Sequence, residues 1–167
     1  VKKTKVHGGS IRMYVTKDAT QEQTKTLADM LAEEKNAGLL QPETYTAFGA
    51  QIEQLRKDCM ELLHDLKKQG KRIAGYGASA KGNTLLQYFG IGPDLLEYIA
   101  DKAPLKQGLY TPGTHIPVVP PDRIETDPPD YMFILAWNFA DEIMRQQSAF
   151  KAKGGKFIVP IPMPQVV

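Results

Sequence analysis

From Lys71 to the end of the chain, short apolar runs alternate with helical segments, and no other feature narrows the possible folds as much. Parallel strands need a crossover connection, usually a helix, so this alternation calls for a mostly parallel sheet with helices on its faces. Five runs read as strands: Arg72 to Gly75, Leu96 to Ala100, His115 to Val119, Tyr131 to Trp137 and Lys156 to Ile161. Helices are expected over Asn83 to Phe89 and from about Phe139 to Ala152. Pro120, Pro121, Pro128 and Pro129 make the connection into the fourth strand stiff and extended. With a strand order of 3-2-1-4-5, the winding reverses between the first and fourth strands, and a ligand crevice belongs there, at their carboxyl ends.

The first 69 residues have a different rhythm. Ser10 to Val15 is strand-like, and residues 18–69 are helical. Thr20 followed by Gln23 reads as a capping box, Leu27, Met30 and Leu31 share a face, and Gly38 closes the segment. Pro42 suits the first turn of a second helix, along which Tyr45, Phe48, Ile52, Leu55, Cys59, Leu62 and Leu66 recur at spacings near three and four. A seam of roughly seven turns at ~3.6 residues per turn needs cover from the first helix, the following sheet or a further domain. The whole reads as an α/β chain: a Rossmann-like parallel sheet of about five strands with flanking helices over 70–167, preceded by a strand in 1–17 and a two-helix N-terminal arm over 18–69.

The 167 residues, 42% of them hydrophobic, suffice for one core. Twenty-one basic and nineteen acidic side chains leave a net charge of only +2, so no overall field points to nucleic acid or membrane. A single cysteine, Cys59, rules out an internal disulfide and a multi-cysteine zinc site; on the apolar seam it reads as a buried, inert thiol. No apolar run approaches the ~20 residues of a membrane span, and no signal-peptide core is present. A soluble, cytoplasmic protein is expected. The opening at Val1, close to a strand, suggests that a further segment precedes it.

Residues 75–84, GYGASAKGNT, follow the first strand and open a helix. A P-loop needs Gly, four residues, then Gly-Lys-Ser/Thr; here Lys81 comes before Gly82 and Asn83 takes the lysine position, so that reading fails. Gly75, Gly77 and Ala80 fit G-x-G-x-x-A, and Asp101 ends the second strand where a ribose-binding acid sits in a dinucleotide fold. Bare backbone at Gly75 and Gly77, the amides near Ser79 and Lys81, the Ser79 hydroxyl and the Lys81 charge would suit a diphosphate at a helix N-terminus. Alternatively, the glycines only let strand and helix pack closely. Across the crevice, Trp137 and Asn138 stand where a base or sugar would stack and hydrogen-bond, although Trp137 also suits a core and Asn138 an N-cap. The loop from Lys102 to Thr114 lies on the same side of the sheet; Lys106 can neutralise a diphosphate and Tyr110 can cover a sugar, while Lys102 and Lys106 also read as ordinary solvated charges and His115 as a satisfied core or edge histidine. His7 before Gly8-Gly9 is either a turn-forming hydrogen-bonder or a group that contacts substrate or relays a proton, and Arg12 is a solvated side chain, an interdomain ion-pair partner or a phosphate partner.

Four segments in order, HGGSIRMYV, GYGASAKGNTLLQYFGI, DKAPLKQGLYTPGTHIPV and ILAWNF, resemble the C-terminal domain of bacterial S-adenosylmethionine-dependent C-methyltransferases of the kind that methylate nucleotide-linked deoxysugars. The likeness runs from about His7 to Pro162. It implies a parent enzyme with a cysteine-rich zinc segment and a donor-binding domain upstream, so that residues 1–17 form a junction with a catalytic domain of the same chain. S-adenosylmethionine would bind that upstream domain and not these residues. On this resemblance the chain holds a nucleotide-diphosphate sugar without catalysing methyl transfer alone: it carries no catalytic residue and no metal ligand, and its substrate contacts are Gly75, Gly77, Ser79, Lys81, Asn83, Trp137, Asn138, His7, Lys106 and Tyr110. A stand-alone NAD(P)-binding module and a vestigial Rossmann assembly domain are the alternatives.

Overall fold

The computed structural model describes residues 1–6 and 9–167, which fall into two compact units, Val1–Ile52 and Glu53–Val167. His7 lies outside the described residues.

In the first unit, β1 (Lys2–Thr4) pairs antiparallel with β2 (Ser10–Arg12), so the expected single strand is one arm of a hairpin. The capping box at Thr20 does not form. Both the N–H and the hydroxyl of Thr20 donate to Asp18 Oδ1, at 2.9 and 2.6 Å, a local turn that competes with helix. The first helix, α1 (Lys25–Asn36), therefore begins after Thr24, whose side chain makes no cap bond. It ends as expected at Gly38, with φ +72°: the Leu39 N–H reaches Glu34 O at 3.1 Å and the Gly38 N–H reaches Lys35 O at 3.0 Å, satisfying carbonyls the helix leaves open. Pro42 then occupies the first position of α2 (Pro42–Lys68), a 27-residue helix that runs through the boundary into the second unit.

The second unit opens with the rest of α2 and turns at Gly70 (φ +72°) into β3 (Ile73–Tyr76). The remaining elements are α3 (Ala80–Phe89), β4 (Ile99–Ala100), β5 (Val118–Val119), α4 (Arg123–Thr126), β6 (Tyr131–Ile134), α5 (Ala140–Gln146), α6 (Ser148–Ala152), β7 (Lys156–Val159) and β8 (Gln165–Val166). The sheet order is β5-β4-β3-β6-β7-β8. Its first five strands are mutually parallel, in the 3-2-1-4-5 order expected for them. To these β8 adds an antiparallel edge, with Ile158 opposite Val166.

Strand alternation divides the sheet's side chains between two faces. On one, Ala74, Tyr76, Tyr98, Ala100, Met132, Ile134 and Phe157 join Ile124 of α4, Ile143 of α5 and Phe150 of α6 in one buried cluster. On the other face lies α3, fitted so closely that a Cβ on Gly82 would come within 2.8 Å of Leu135 Cβ. Alongside α3 runs the second half of α2, joined to it by the Tyr88 hydroxyl and Glu53, and burying Leu55, Cys59, Leu63 and Leu66. At the amino ends of the strands Arg72 binds Glu97 and Asp127, while its N–H donates to Asp130 Oδ2 at 2.8 Å. This ties β3 to the segments leading into β4 and β6.

The strands are shorter than their apolar runs. Leu96 and Ile116 are fully buried in the segments before β4 and β5, and Leu135 follows β6. Burial alone made these positions apolar, whether or not a ladder continued. The helix expected over Phe139 to Ala152 is broken at Gln147, whose ψ of 29° leaves the helical region.

Candidate functional site

The turn after β3 sits at the carboxyl ends of neighbouring strands β3 and β6, where the winding of the sheet reverses. Gly77 has φ +85°, a conformation that favours glycine, and a Cβ there would lie 3.0 Å from that of Ala136. Gly75 is inside β3, and its missing side chain leaves room for Ile99 and Leu135. These two glycines, with Gly82, thus let the strand and helix approach their neighbours.

Most of the turn's donors are already engaged. The N–H groups of Gly75 and Gly77 reach the carbonyls of Tyr98 and Ala100, at 2.7 and 2.8 Å. That of Ala78 donates to Asp101 Oδ2 at 2.7 Å, and that of Ser79 to the carbonyl of Gly77. Ser79 is the N-cap of α3: its hydroxyl oxygen accepts from the Gly82 N–H at 3.1 Å and its carbonyl from the Asn83 N–H. This leaves the N–H groups of Ala80 and Lys81, the first two of α3, with no partner among the described residues. Beside them, the Lys81 ammonium lies 5.6 Å from the centre of the Trp137 ring. Asn83 Oδ1, one position beyond Gly82, is a buried acceptor with no donor among the described residues.

Asp101, placed by its position after β4, is the electrostatic centre of this end. It is nearly buried and receives Ala78 N–H, Ala103 N–H and Lys106 Nζ, while Gln107 binds its backbone carbonyl. Lys106 also donates to the carbonyl of Ala78 at 2.9 Å, so its charge is clamped directly over the glycine turn. On the other face of β3, burial pushes the Tyr76 phenol up from its ordinary range, the Gln147 hydrogen bond opposes that, and the negative charge of Asp101 adds to it.

The structure therefore brings Gly77, Ser79, Lys81, Lys106 and Trp137 to one end of the sheet. Asn138 is exposed in a short 3-10 turn, Trp137–Phe139, and the residue at the N-cap of α5 is Phe139. Tyr110 is elsewhere: it bridges Pro117 beside β5, two strands from β3, and is exposed. The loop that carries it folds back along β5, with Gly108 N–H to Val118 O at 2.9 Å and the buried Thr111 hydroxyl accepting from Ile116 N–H at 2.8 Å. Sequence reasoning singled out Asp101 as a possible ribose acid and passed over its structural partners. The spacing of Asp101 and Lys106, which puts both at the end of one strand, was the available signal. Cys59 is fully buried, and desolvation pushes its thiol up to about 12. Among the described residues, no group of three or more His, Cys, Asp or Glu side chains is placed to hold a metal.

Residues 5–162 match the protein family described as the C-methyltransferase C-terminal domain. The chain is also similar to the C-methyltransferase NovU of Streptomyces niveus, with 39% identity over 163 residues, covering 97% of this chain and 39% of that protein. The chain thus spans about two fifths of the length of the curated relative it matches.

Proposed function

The chain belongs to the C-methyltransferase C-terminal domain family, and from that premise we propose that it is the substrate-side domain of an S-adenosylmethionine-dependent C-methyltransferase. Its substrate is a nucleotide-linked keto-deoxysugar or a similar small ketone, handled in the cytoplasm together with a catalytic domain of the same polypeptide. The observation that carries the reading is the pair of open amides at Ala80 and Lys81 next to the Lys81 ammonium and the Trp137 ring. Two N–H groups and a cation suit diphosphate oxygens, and an aromatic face suits a base or sugar. Ser79 shapes this end of α3 as its cap, and Lys106 adds positive charge above the turn.

We infer that the donor cofactor is held elsewhere. Asp101, the acid after β4 that an adenosyl ribose would use, already receives two backbone N–H groups and the Lys106 ammonium, which weighs against a ribose there. The same clamp weighs against NAD(P). S-adenosylmethionine, bound elsewhere in the parent, supplies an electrophilic methyl group. Carbon–carbon bond formation also needs a base to remove the proton beside the ketone and a donor to steady the enolate oxygen. We assign neither role to this chain, whose part is to hold the nucleotide end so that the sugar carbon meets the methyl donor.

The internal bonding of the Gly75, Gly77, Ala78, Ser79, Gly82 and Asn83 amides favours a second reading, in which the crevice is vestigial and the domain serves assembly. Fluorescence of Trp137, the one tryptophan, separates the two. Titration with deoxythymidine diphosphate is expected to change it saturably, and Lys81→Ala to weaken that binding about tenfold, as the loss of one charge-assisted contact would. No response to the nucleotide, with the fold intact by circular dichroism, would leave only the assembly reading. A response to NAD and not to the nucleotide diphosphate would restore the dinucleotide alternative.

A further inference from the structure

Ala78, between Gly77 and the cap Ser79, is gripped on both sides by one ion pair. Its N–H donates to Asp101 Oδ2 at 2.7 Å, and its carbonyl accepts from Lys106 Nζ at 2.9 Å, while Nζ lies 3.2 Å from the same carboxylate oxygen. The pair is itself held. Asp101 is 7% exposed, and its Oδ1 accepts from the Ala103 N–H at 2.7 Å. The Lys106 N–H reaches Ala103 O at 3.0 Å, and the Gln107 side-chain amide donates to Asp101 O at 2.9 Å, so the loop that delivers the ammonium is closed on the carboxylate. Bonds to a charged partner are the stronger kind, and these converge on a single residue of the turn.

Ala78 needs such a hold. Gly77 before it has φ +85° and no Cβ, so it imposes little direction of its own. The Ala78 carbonyl and the Ser79 N–H share one peptide plane and point to opposite sides of it. With the carbonyl turned to Lys106, the Ser79 N–H faces Gly77 O at 2.8 Å. Released, that plane can rotate and carry a carbonyl oxygen, an acceptor, toward the donors an anion needs. We infer that Asp101 and Lys106 are positioning residues for the nucleotide site: they act through Ala78, fixing where the open amides of Ala80 and Lys81 stand, and neither touches the nucleotide. The Lys106 charge is already paired, and its effect on the ligand is to pre-organise the turn. The inference rests on reading the first turn of α3 as the diphosphate site.

Amide resonances and nucleotide titration test it on the 167-residue chain. Lys106→Met, at a half-exposed side chain, removes both bonds of the ammonium. Asp101→Asn keeps an acceptor for Ala78 and removes the charge that holds Lys106. In the ligand-free protein each variant is expected to shift the Ala80 and Lys81 amide resonances and to leave those of β7 in place, and Lys106→Arg, which still donates to both partners, to restore them. Affinity for deoxythymidine diphosphate should fall about tenfold in either variant and by about the same factor in the double variant, since the pair acts as one device. Affinity for deoxythymidine, which carries no phosphate, should not change. A roughly hundredfold loss in the double variant would mean that Lys106 meets the nucleotide independently, and overturns the inference. Unmoved Ala80 and Lys81 resonances in Lys106→Met overturn it too, as does an equal loss for deoxythymidine, the mark of a general loosening. If Asp101→Asn does not fold, Lys106→Met against Lys106→Arg decides the matter. Failure of the unaltered chain to bind deoxythymidine diphosphate would sink the nucleotide reading, and the amide resonances would still show whether the pair positions the turn.

Discussion

The two halves of α2 bear one continuous apolar stripe and meet opposite environments. In the first half Tyr45 and Phe48 are more than half exposed; in the second, Leu55, Cys59, Leu63 and Leu66 are buried. The hydrophobic effect acts in proportion to area removed from water, so equal periodicity gives unequal stabilisation. In the chain by itself, stability should come almost wholly from the second unit, and the arm should be a passenger. Four comparisons between the units test that.

Thiol chemistry gives the largest contrast. Burial pushes the Cys59 thiol up to about 12, so at neutral pH it is neither ionised nor reachable. Labelling by a disulfide reagent in native buffer should be slower than in denaturant by on the order of a thousandfold or more, tracking the opening of the second half of α2. A cysteine introduced by Phe48→Cys should label at the rate of an exposed thiol. Fast labelling of Cys59 would mean that the two halves do not differ.

Truncation comes next. Leu63→Ala removes a fully buried side chain and should lower the unfolding free energy by about 2–5 kcal/mol, whereas Phe48→Ala in the chain alone should change it by less than about 0.5 kcal/mol. Urea titration of both variants checks this. A loss from Phe48→Ala comparable to that from Leu63→Ala would mean that the arm belongs to the cooperative core.

Glycines sharpen the comparison with opposite signs. A Cβ on Gly82 would meet Leu135 Cβ at 2.8 Å and its carbonyl oxygen at 3.3 Å, so Gly82→Ala should destabilise by about 1–3 kcal/mol through separating α3 from β6. Gly49, in the first half of α2, would meet nothing within 4 Å, so Gly49→Ala should raise local helix stability by up to about 1 kcal/mol. Helix content at the arm, followed by amide exchange, registers the gain even if global unfolding does not.

The smallest effect is in acid. The Arg72 guanidinium holds the Asp127 carboxyl below the ordinary value of 3.8, and the Thr20 hydroxyl and N–H do the same for Asp18 in the arm. A carboxyl depressed in the folded state contributes stability above its unfolded value and loses it as pH falls through the folded one. Asp127→Asn should therefore flatten the dependence of global stability on pH below about 4, while Asp18→Asn should leave it unchanged. An equal flattening by both would erase the distinction between the units.

Periodicity made much of this legible in the sequence. The stripe on α2, the glycine exit at Gly38, and the five parallel strands follow from local patterns that each segment carries itself. Boundaries were less legible, because Leu96, Ile116 and Leu135 are apolar for burial and lie outside the ladders. The hairpin partner β1 escaped notice: Lys2, Lys3 and Thr4 show no apolar alternation, and only pairing with β2 makes them a strand. At the site, the turn and its cap at Ser79 were readable as a G-x-G-x-x-A motif opening a helix. What the motif did not disclose is that Lys106 and Asp101 already close over it, since the bond from Lys106 Nζ to Ala78 O spans 28 positions.

By itself the sequence determined which faces are apolar, where the helices turn, and that a glycine-rich bend leads from the first parallel strand into its helix. Only the tertiary structure decided which half of α2 is covered, which amides of that bend stay open, and that Asp101 holds two backbone N–H groups and a lysine. The physical reason is range: turn and helix preferences act within a few residues, whereas burial and the partners of a buried charge depend on atoms that meet only when distant segments pack.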